Sequence, residues 1–312
     1  MSDELTAAPT TTSKLPGPLR NPVMIKELRS RMRGRRAFVV LTIYLTLMSG
    51  LLLMVYALFA SASRANPFGP DTRQAGKVVF GAVVAVEMFL VLFIGPAFTT
   101  AAITGEKERQ TYDLLRTTLL PARALVTGKL LSALSYMLLL IVASIPLQSI
   151  AFLLGGVSLV EVLLSQLVII VAAVAYALMG LFFSSATRST LAASISTFVV
   201  ALGLTAGLPL LIGTLTTFVG PVLFGPGTPP WPLEAILIYL GLALAATNLP
   251  ATIVVSEILL LERDAVLLFS EFIGGRSVVF FSPWLGFVLF HGVLAIVLFV
   301  LTVRRIRQVP RR

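Results

Sequence analysis

Charged residues fall in bursts along this chain, and the apolar residues between the bursts run on for longer than a helix in a soluble core requires. The first run, 37–59 (AFVVLTIYLTLMSGLLLMVYALF), has 23 residues and no charge. At a rise of about 1.5 Å per residue it is long enough to cross the hydrocarbon layer of a bilayer. Similar runs predict further spans at about 78–101, 130–154, 159–183, 190–212 and 283–303, six in all. The polar stretch SASRANPFGPDTRQAGK separates the first two, and Gly155-Gly156 predicts a tight turn that makes the third and fourth a hairpin. SSATRS joins the fourth to the fifth, and 102–129 is the longest charged interruption between spans.

Residues 214–282 are less regular. They alternate a Gly-Pro-rich loop, an apolar helix (LEAILIYLGLALAAT), the breaker Asn248-Leu249-Pro250 and a more polar predicted helix (ATIVVSEILLLERDAVLLFSEF). The stretch 233–261 is long enough to cross, but charge argues against a single crossing. With both termini cytosolic and this stretch not crossing, 19 of the 24 Lys and Arg residues lie inside and 5 outside, as the positive-inside rule expects. A seventh span would put the arginine-rich C-terminal end opposite the arginine-rich segment before span 1. The pattern therefore predicts two helices that dip into or lie on the outer leaflet, with 248–250 forming the turn.

Before span 1, residues 1–19 are rich in Thr, Pro and Ala and lack the apolar core of a signal peptide, so a disordered cytosolic tail is expected. In NPVMIKELRSRMRGRR, Ile25, Leu28 and Met32 recur at helical spacing among basic residues that include Lys26, Arg29 and Arg33. Residues 20–36 thus predict an amphipathic helix lying on an anionic membrane face. Residues 304–312 form a basic cytosolic tail.

Composition agrees with an all-α integral membrane protein: 57% hydrophobic and 12% charged residues, with a mean hydropathy of +0.97. The absence of cysteine excludes disulfides, thiolate metal sites and a Cys nucleophile, and the single histidine, His291, argues against multi-imidazole zinc chemistry. The net charge of +10 would suit nucleic acid, but its spread over one membrane face assigns it to lipid and topology. The sequence holds no phosphate loop, H-E-x-x-H or G-x-S-x-G motif, so no catalytic residue or metal site is expected.

The stretch 102–129 is the most informative. Glu106, Lys107, Glu108, Arg109, Asp113 and Arg116 alternate there with Tyr112, Leu114, Leu115 and Leu119 before Pro121. Mixed charge with an apolar side suits docking into a partner's groove, and equally suits a solvated loop helix with internal charge pairs. ITGEKERQTYDLLRTTLLPARALVTGKLL is similar to a pattern found in the permease subunits of ABC transporters of the type 2 (ABC-2) class: Gly-Glu-x-Glu-x-x-Thr-x-x-x-Leu, a Pro, then Gly-Lys-Leu-Leu. Gly105, Glu106, Glu108, Thr111, Leu115, Pro121, Gly128, Lys129, Leu130 and Leu131 occupy the matching places. The helix before span 1 also resembles that family's connecting helix.

The resemblance implies a half-transporter in a prokaryotic cytoplasmic membrane, dimeric with a second permease subunit and driven by separate ATP-binding subunits that hold ATP and magnesium. It implies no cofactor in this chain. It makes 106–119 a cytosolic coupling helix, with Glu106, Glu108, Arg109, Thr111, Tyr112 and Leu115 towards the ATPase, and it implies an exporter of unspecified substrate. A non-transporting scaffold or sensor is the alternative. An intramembrane enzyme would require Glu87, Glu257 and His291 to converge.

Glu87 is the one acid near the middle of a span. It is read either as lining a translocation path or as a protonated or paired structural carboxyl. His291 is expected to be a neutral, hydrogen-bonded side chain, and Gln148 and Gln166 to bond across helices. In span 5, Ala192, Ala193, Ser194, Ser196, Gly203 and Gly207 are expected to permit close approach of another helix, of this chain or of a second copy.

Overall fold

The structure is a computed structural model that describes residue 25 and residues 35–65, 72–112, 121–214, 218, 230–263 and 265–307. Six helices in it are long and apolar enough to cross a membrane, which makes the chain a multi-pass helical membrane protein. In chain order the first four are α1 (Arg35–Ala65), α2 (Thr72–Glu108), α3 (Ala122–Leu153) and α4 (Leu159–Ala186). α5 (Thr190–Leu202) continues through a π turn, Gly203–Gly207, to residue 214. Two short helices follow, α6 (Trp231–Ala245) and α7 (Leu249–Arg263), then strands β1 (Leu268–Ile273) and β2 (Arg276–Phe281), and finally α8 (Pro283–Arg307).

α4 is the central helix, because small residues line the faces it buries. Ala172, Ala173, Ala175 and Ala177 are fully buried, and Tyr176 lies among them. Its packing partners include Phe80, Val84 and Val91 of α2, Met137 and Ile141 of α3, and Phe287 and Leu298 of α8. Gly180 marks the closest crossing: a Cβ there would lie 2.1 Å from Thr99 Oγ1 and 3.2 Å from the Pro96 carbonyl of α2. Pro96 removes one helical donor, and the Thr99 hydroxyl donates to the Gly95 and Pro96 carbonyls, both at 3.2 Å. α1 and α5 are the least covered spans, with Phe38, Leu47, Leu53, Leu191, Ile195 and Val199 exposed.

The expected hairpin of α3 and α4 is present. Gly155 turns the chain at φ +79°, and Ser158 and Glu161 then start α4 as a capping box: Glu161 N–H donates to Ser158 Oγ at 3.2 Å and Ser158 N–H to the Glu161 carboxylate at 2.9 Å.

Helices α6 and α7 are 15 residues each, and the turn between them falls where the Asn-Leu-Pro breaker predicts it. Asn248 caps α7 by accepting the Ala251 N–H at 2.8 Å, and its amide donates to the Leu204 carbonyl at 3.1 Å and to the Thr205 carbonyl. Those carbonyls belong to the π turn of α5, whose widened geometry frees acceptors from the ordinary ladder. Among the described residues no other helix of this chain packs against Gly203 or Gly207. A Cβ on Gly203 would meet nothing within 4 Å, and a Cβ on Gly207 only its own helix at 4.0 Å.

Two expectations need correction. The polar helix predicted through residue 272 stops at Arg263, and 268–281 is an antiparallel hairpin with Ile273 opposite Arg276. Gly274 and Gly275, at φ +55° and +81°, make the two-residue turn that matches strand twist, so the chain is not purely helical. Arg263 reaches back to the hairpin with a 2.7 Å ion pair to Glu271. The second correction concerns 106–119. Glu106, Lys107 and Glu108 are the last turn of α2 and not the start of a separate helix. The chain breaks at Gln110, whose φ is +58°; Gln110 N–H donates to the Lys107 carbonyl at 3.1 Å and Thr111 N–H to the Glu106 carbonyl at 2.9 Å. This paired closure with a left-handed residue is a helix stop. Residues 113–120, with Leu115, lie outside the described residues, as do 1–24 and 26–34 with Lys26, Arg29 and Arg33.

Candidate functional site

Helix α2 has 37 residues and is about 55 Å long, so it outruns the hydrocarbon layer. It carries two polar clusters. One sits at its C-terminal turn, at the end of the bundle where Arg304, Arg305 and Arg307 also close α8. The other surrounds Glu87, twenty residues earlier in the sequence, about 30 Å away along the helix.

At the C-terminal turn, consecutive side chains grip the two sides of the α4–α5 connection. Lys107 Nζ donates to the carbonyls of Ser184, Ser185 and Thr187 at 3.2, 2.8 and 2.7 Å. These are carbonyls that the end of α4 leaves open, and a cation there also complements the negative end of the helix dipole. Glu108 accepts the Thr190 backbone N–H at 2.6 Å and the Thr190 hydroxyl at 3.0 Å. An anion is thereby placed at the first turn of α5, where orphan N–H groups and the positive dipole end favour it.

Deeper in the joint, the Ser184 hydroxyl accepts the Ile103 and Thr104 N–H groups at 2.9 and 3.0 Å. Ile103, Leu125, Val126, Leu181, Val303 and Ile306 pack as one apolar cluster beneath it, tying in α3 and α8. The α2 terminus is thus joined to α3, α4, α5 and α8 through packed contacts and charge-assisted hydrogen bonds.

Of the residues expected to face a partner, Glu108 is committed to Thr190. Glu106 is half-buried; it receives the Thr111 hydroxyl and lies 3.9 Å from Lys129 of α3. Tyr112 is also half-buried, within the same apolar cluster, with Lys107 Nζ 5.7 Å from its ring centre. Arg109 and Thr111 are exposed. The partner-facing set therefore divides into internal fasteners and an exposed remainder headed by Arg109. Ser184 and Thr190, which hold Lys107, Glu108 and the backbone of α2 at this joint, are the residues that the pattern of charges did not single out.

Glu87 is fully buried between α1, α3 and α4. Oε1 is hydrogen-bonded to the Ser144 hydroxyl and receives Gln148 Nε2 at 3.0 Å, while Oε2 receives Gln166 Nε2 at 2.9 Å. Tyr44 of α1 lies beside Glu87 and Ser144, and its hydroxyl has no well-formed hydrogen bond. The cross-helix bonding expected of Gln148 and Gln166 therefore converges on Glu87.

His291 is buried elsewhere, stacked 3.9 Å from Phe287 and hydrogen-bonded through Nδ1 to the Phe287 carbonyl at 3.3 Å. Glu257, on α7, lines a pocket with Glu161, Ser165, Thr252, Ser256 and Trp284. Burial raises its carboxyl above the ordinary range, and the Glu161 charge adds to this while Lys77 opposes it. Glu87, Glu257 and His291 thus occupy three different sets of contacts. Among the described residues no group of three His, Cys, Asp or Glu side chains could hold a metal ion.

The fold and the two clusters define a polytopic helical membrane protein whose second span fastens its neighbours at one end and buries a carboxyl in its middle. No protein-family model matches the chain, and no curated protein matches it.

Proposed function

We propose that this chain is the transmembrane permease subunit of an ATP-driven transporter of the ABC-2 type, an exporter that pairs with a second permease subunit and is driven by separate ATP-binding subunits. The observation that carries this is the meeting of the two halves of the resembling motif. Gly105, Glu106 and Glu108 end α2 and Thr111 follows its stop, Gly128 to Leu131 lie near the start of α3, and Glu106 faces Lys129 across the junction. A partner that engages the α2 terminus would hold a rigid lever, because Lys107 and Glu108 fasten the same turn to α4 and α5. Closure of the ATPase pair would then rock several spans together between inward- and outward-facing states. On this reading the basic end of the bundle faces the cytosol of a prokaryote, both termini lie on that side, and α6, α7 and the hairpin form an outer interfacial or re-entrant element.

The test is to isolate the tagged chain from its native membrane in mild detergent. An ATP-binding subunit carrying a phosphate loop is expected in near-stoichiometric amount, and Arg109→Glu should reduce its recovery about tenfold, as charge reversal at a docking surface does. Recovery without any ATPase would favour a scaffold or enzyme, and recovery indifferent to Arg109→Glu would move the docking site away from the α2 terminus.

A further inference from the structure

The hydrogens around Glu87 do not balance if its carboxyl is ionised. The Ser144 hydroxyl has one hydrogen and two acceptors competing for it: the Ile141 carbonyl at 2.6 Å, and Glu87 Oε1. A serine inside a helix ordinarily spends its hydrogen on the carbonyl three or four residues back. With that hydrogen committed to Ile141, the contact between Ser144 Oγ and Glu87 Oε1 is attractive only if the hydrogen in it comes from Glu87. The two glutamine amides are compatible with this, since a carboxylic acid still has lone pairs to accept Gln148 and Gln166.

The surroundings argue the same way. The elements packed against Glu87 offer Tyr44 from α1, Ser144 and Gln148 from α3, and Gln166 from α4; among the described residues Tyr44 is the one other titratable group there, and no lysine, arginine or histidine faces the site. In α2 the nearest charges along the chain are Lys77 and Glu106, so the carboxyl sits within a long uncharged stretch. A carboxylate there would have no counter-charge, which is costly in a span.

Two buried polar atoms of the cluster are left unused, Tyr44 Oη and Gln148 Oε1. The Tyr44 hydrogen is the informative one. The hydroxyl lies beside Ser144 without a hydrogen bond of ordinary geometry, and it is the donor that an ionised Glu87 would need.

We infer that Glu87, Ser144 and Tyr44 form a proton-binding site in the core of the bundle. In the conformation described, Glu87 is a neutral acid donating to Ser144, which in turn donates to Ile141. When the proton leaves, Tyr44 turns its hydroxyl onto the carboxylate in place of the lost hydrogen. No bond other than O–H changes, and the proton goes to water admitted as α1, α3 and α4 shift against α2. The site is a property of this chain alone, and its test does not depend on the transporter reading.

Infrared difference spectroscopy of the full-length protein in lipid reads the site directly. At neutral pH the wild type should show the carbonyl stretch of a protonated carboxylic acid that disappears in Glu87→Gln. Ser144→Ala should move that band to higher frequency, because the acid loses its acceptor. Tyr44→Phe should keep the band at neutral pH and retain it to more alkaline pH than the wild type, because the reserve donor is gone. A wild-type spectrum without the band, or a band indifferent to Ser144→Ala, overturns the assignment. If Glu87→Gln does not fold, the Ser144 and Tyr44 variants carry the test, and loss of the band at the same pH in Tyr44→Phe and wild type overturns the role of Tyr44.

Discussion

Lys107→Met is expected to release the α4–α5 turn from the end of α2 while leaving the bundle folded. The substitution keeps much of the apolar stem and removes a cation that serves three carbonyls at 2.7 to 3.2 Å. Hydrogen bonds to charged groups contribute roughly 1.5–3 kcal/mol each and the helix-end charge roughly 0.3–1 kcal/mol. These terms are not additive and the site is partly wet, so a local loss of about 2–4 kcal/mol is the reasonable scale. Amide exchange at 184–190 should accelerate by roughly thirty- to a thousandfold, with protection in the α4 core unchanged. Lys107→Arg, which keeps the charge, should lie well above Lys107→Met. Unaltered exchange at the turn in Lys107→Met would mean that the α2 terminus does not hold it.

The largest effect on folding is expected from Gly156→Ala. A Cβ at this position would lie 1.9 Å from the Arg73 carbonyl oxygen and 2.9 Å from the Lys77 nitrogen, both backbone atoms of α2. Gly76 faces the same contact from the other side, 2.8 Å from the Ala151 carbonyl and 3.0 Å from Gly156 N. Neither neighbour is a flexible side chain, so relief requires moving the start of α2 off the α3–α4 turn. Overpacking of this kind costs about 2–4 kcal/mol. The thermal midpoint in detergent should fall by roughly 5–10 °C. Gly81→Ala, in the same helix with nothing within 4 Å of the added methyl, should be neutral or slightly stabilising. Equal midpoints for the two alanine variants would contradict the close contact.

Much of this architecture is legible in the sequence because bilayer thickness imposes a length that hydropathy records. Five of the six runs predicted to span lie within helices of the structure, the sixth, 130–154, overruns the end of α3 by one residue, and each helix extends past its apolar run at one end or both. The hairpin at 268–281 is masked by the same hydropathy. Its alternating strands have enough apolar residues to pass for helix, whereas Gly274-Gly275 between them is a short-range turn signal independent of hydropathy.

The site was legible only in pieces. Glu87, Gln148 and Gln166 each stand out as polar residues in a span, but whether they meet depends on the rotation and depth of three helices, which no local pattern fixes. The stop at Gln110 was invisible for a different reason. A glutamine at left-handed φ carries no sequence signature, and the surrounding charges read as a continuous helix. Lys107 and Glu108 looked like surface charge until the α4–α5 turn supplied open carbonyls and N–H groups for them.

In the proposed transporter, ATP bound to a partner moves the α2 terminus as a lever. Because the chain has no cysteine, Gln110→Cys, exposed at the helix stop and outside the partner-facing set, provides a labelling site that leaves Arg109 in place, and Arg188→Cys provides a second one in the α4–α5 turn. The measurement is the spin-label distance between two copies of position 110, and within one copy between positions 110 and 188, in the complex isolated from membranes with ADP or with ATP and magnesium. A permease driven from this end should show the inter-copy distance change with nucleotide while the 110–188 distance holds. An inter-copy distance indifferent to nucleotide would contradict the claim.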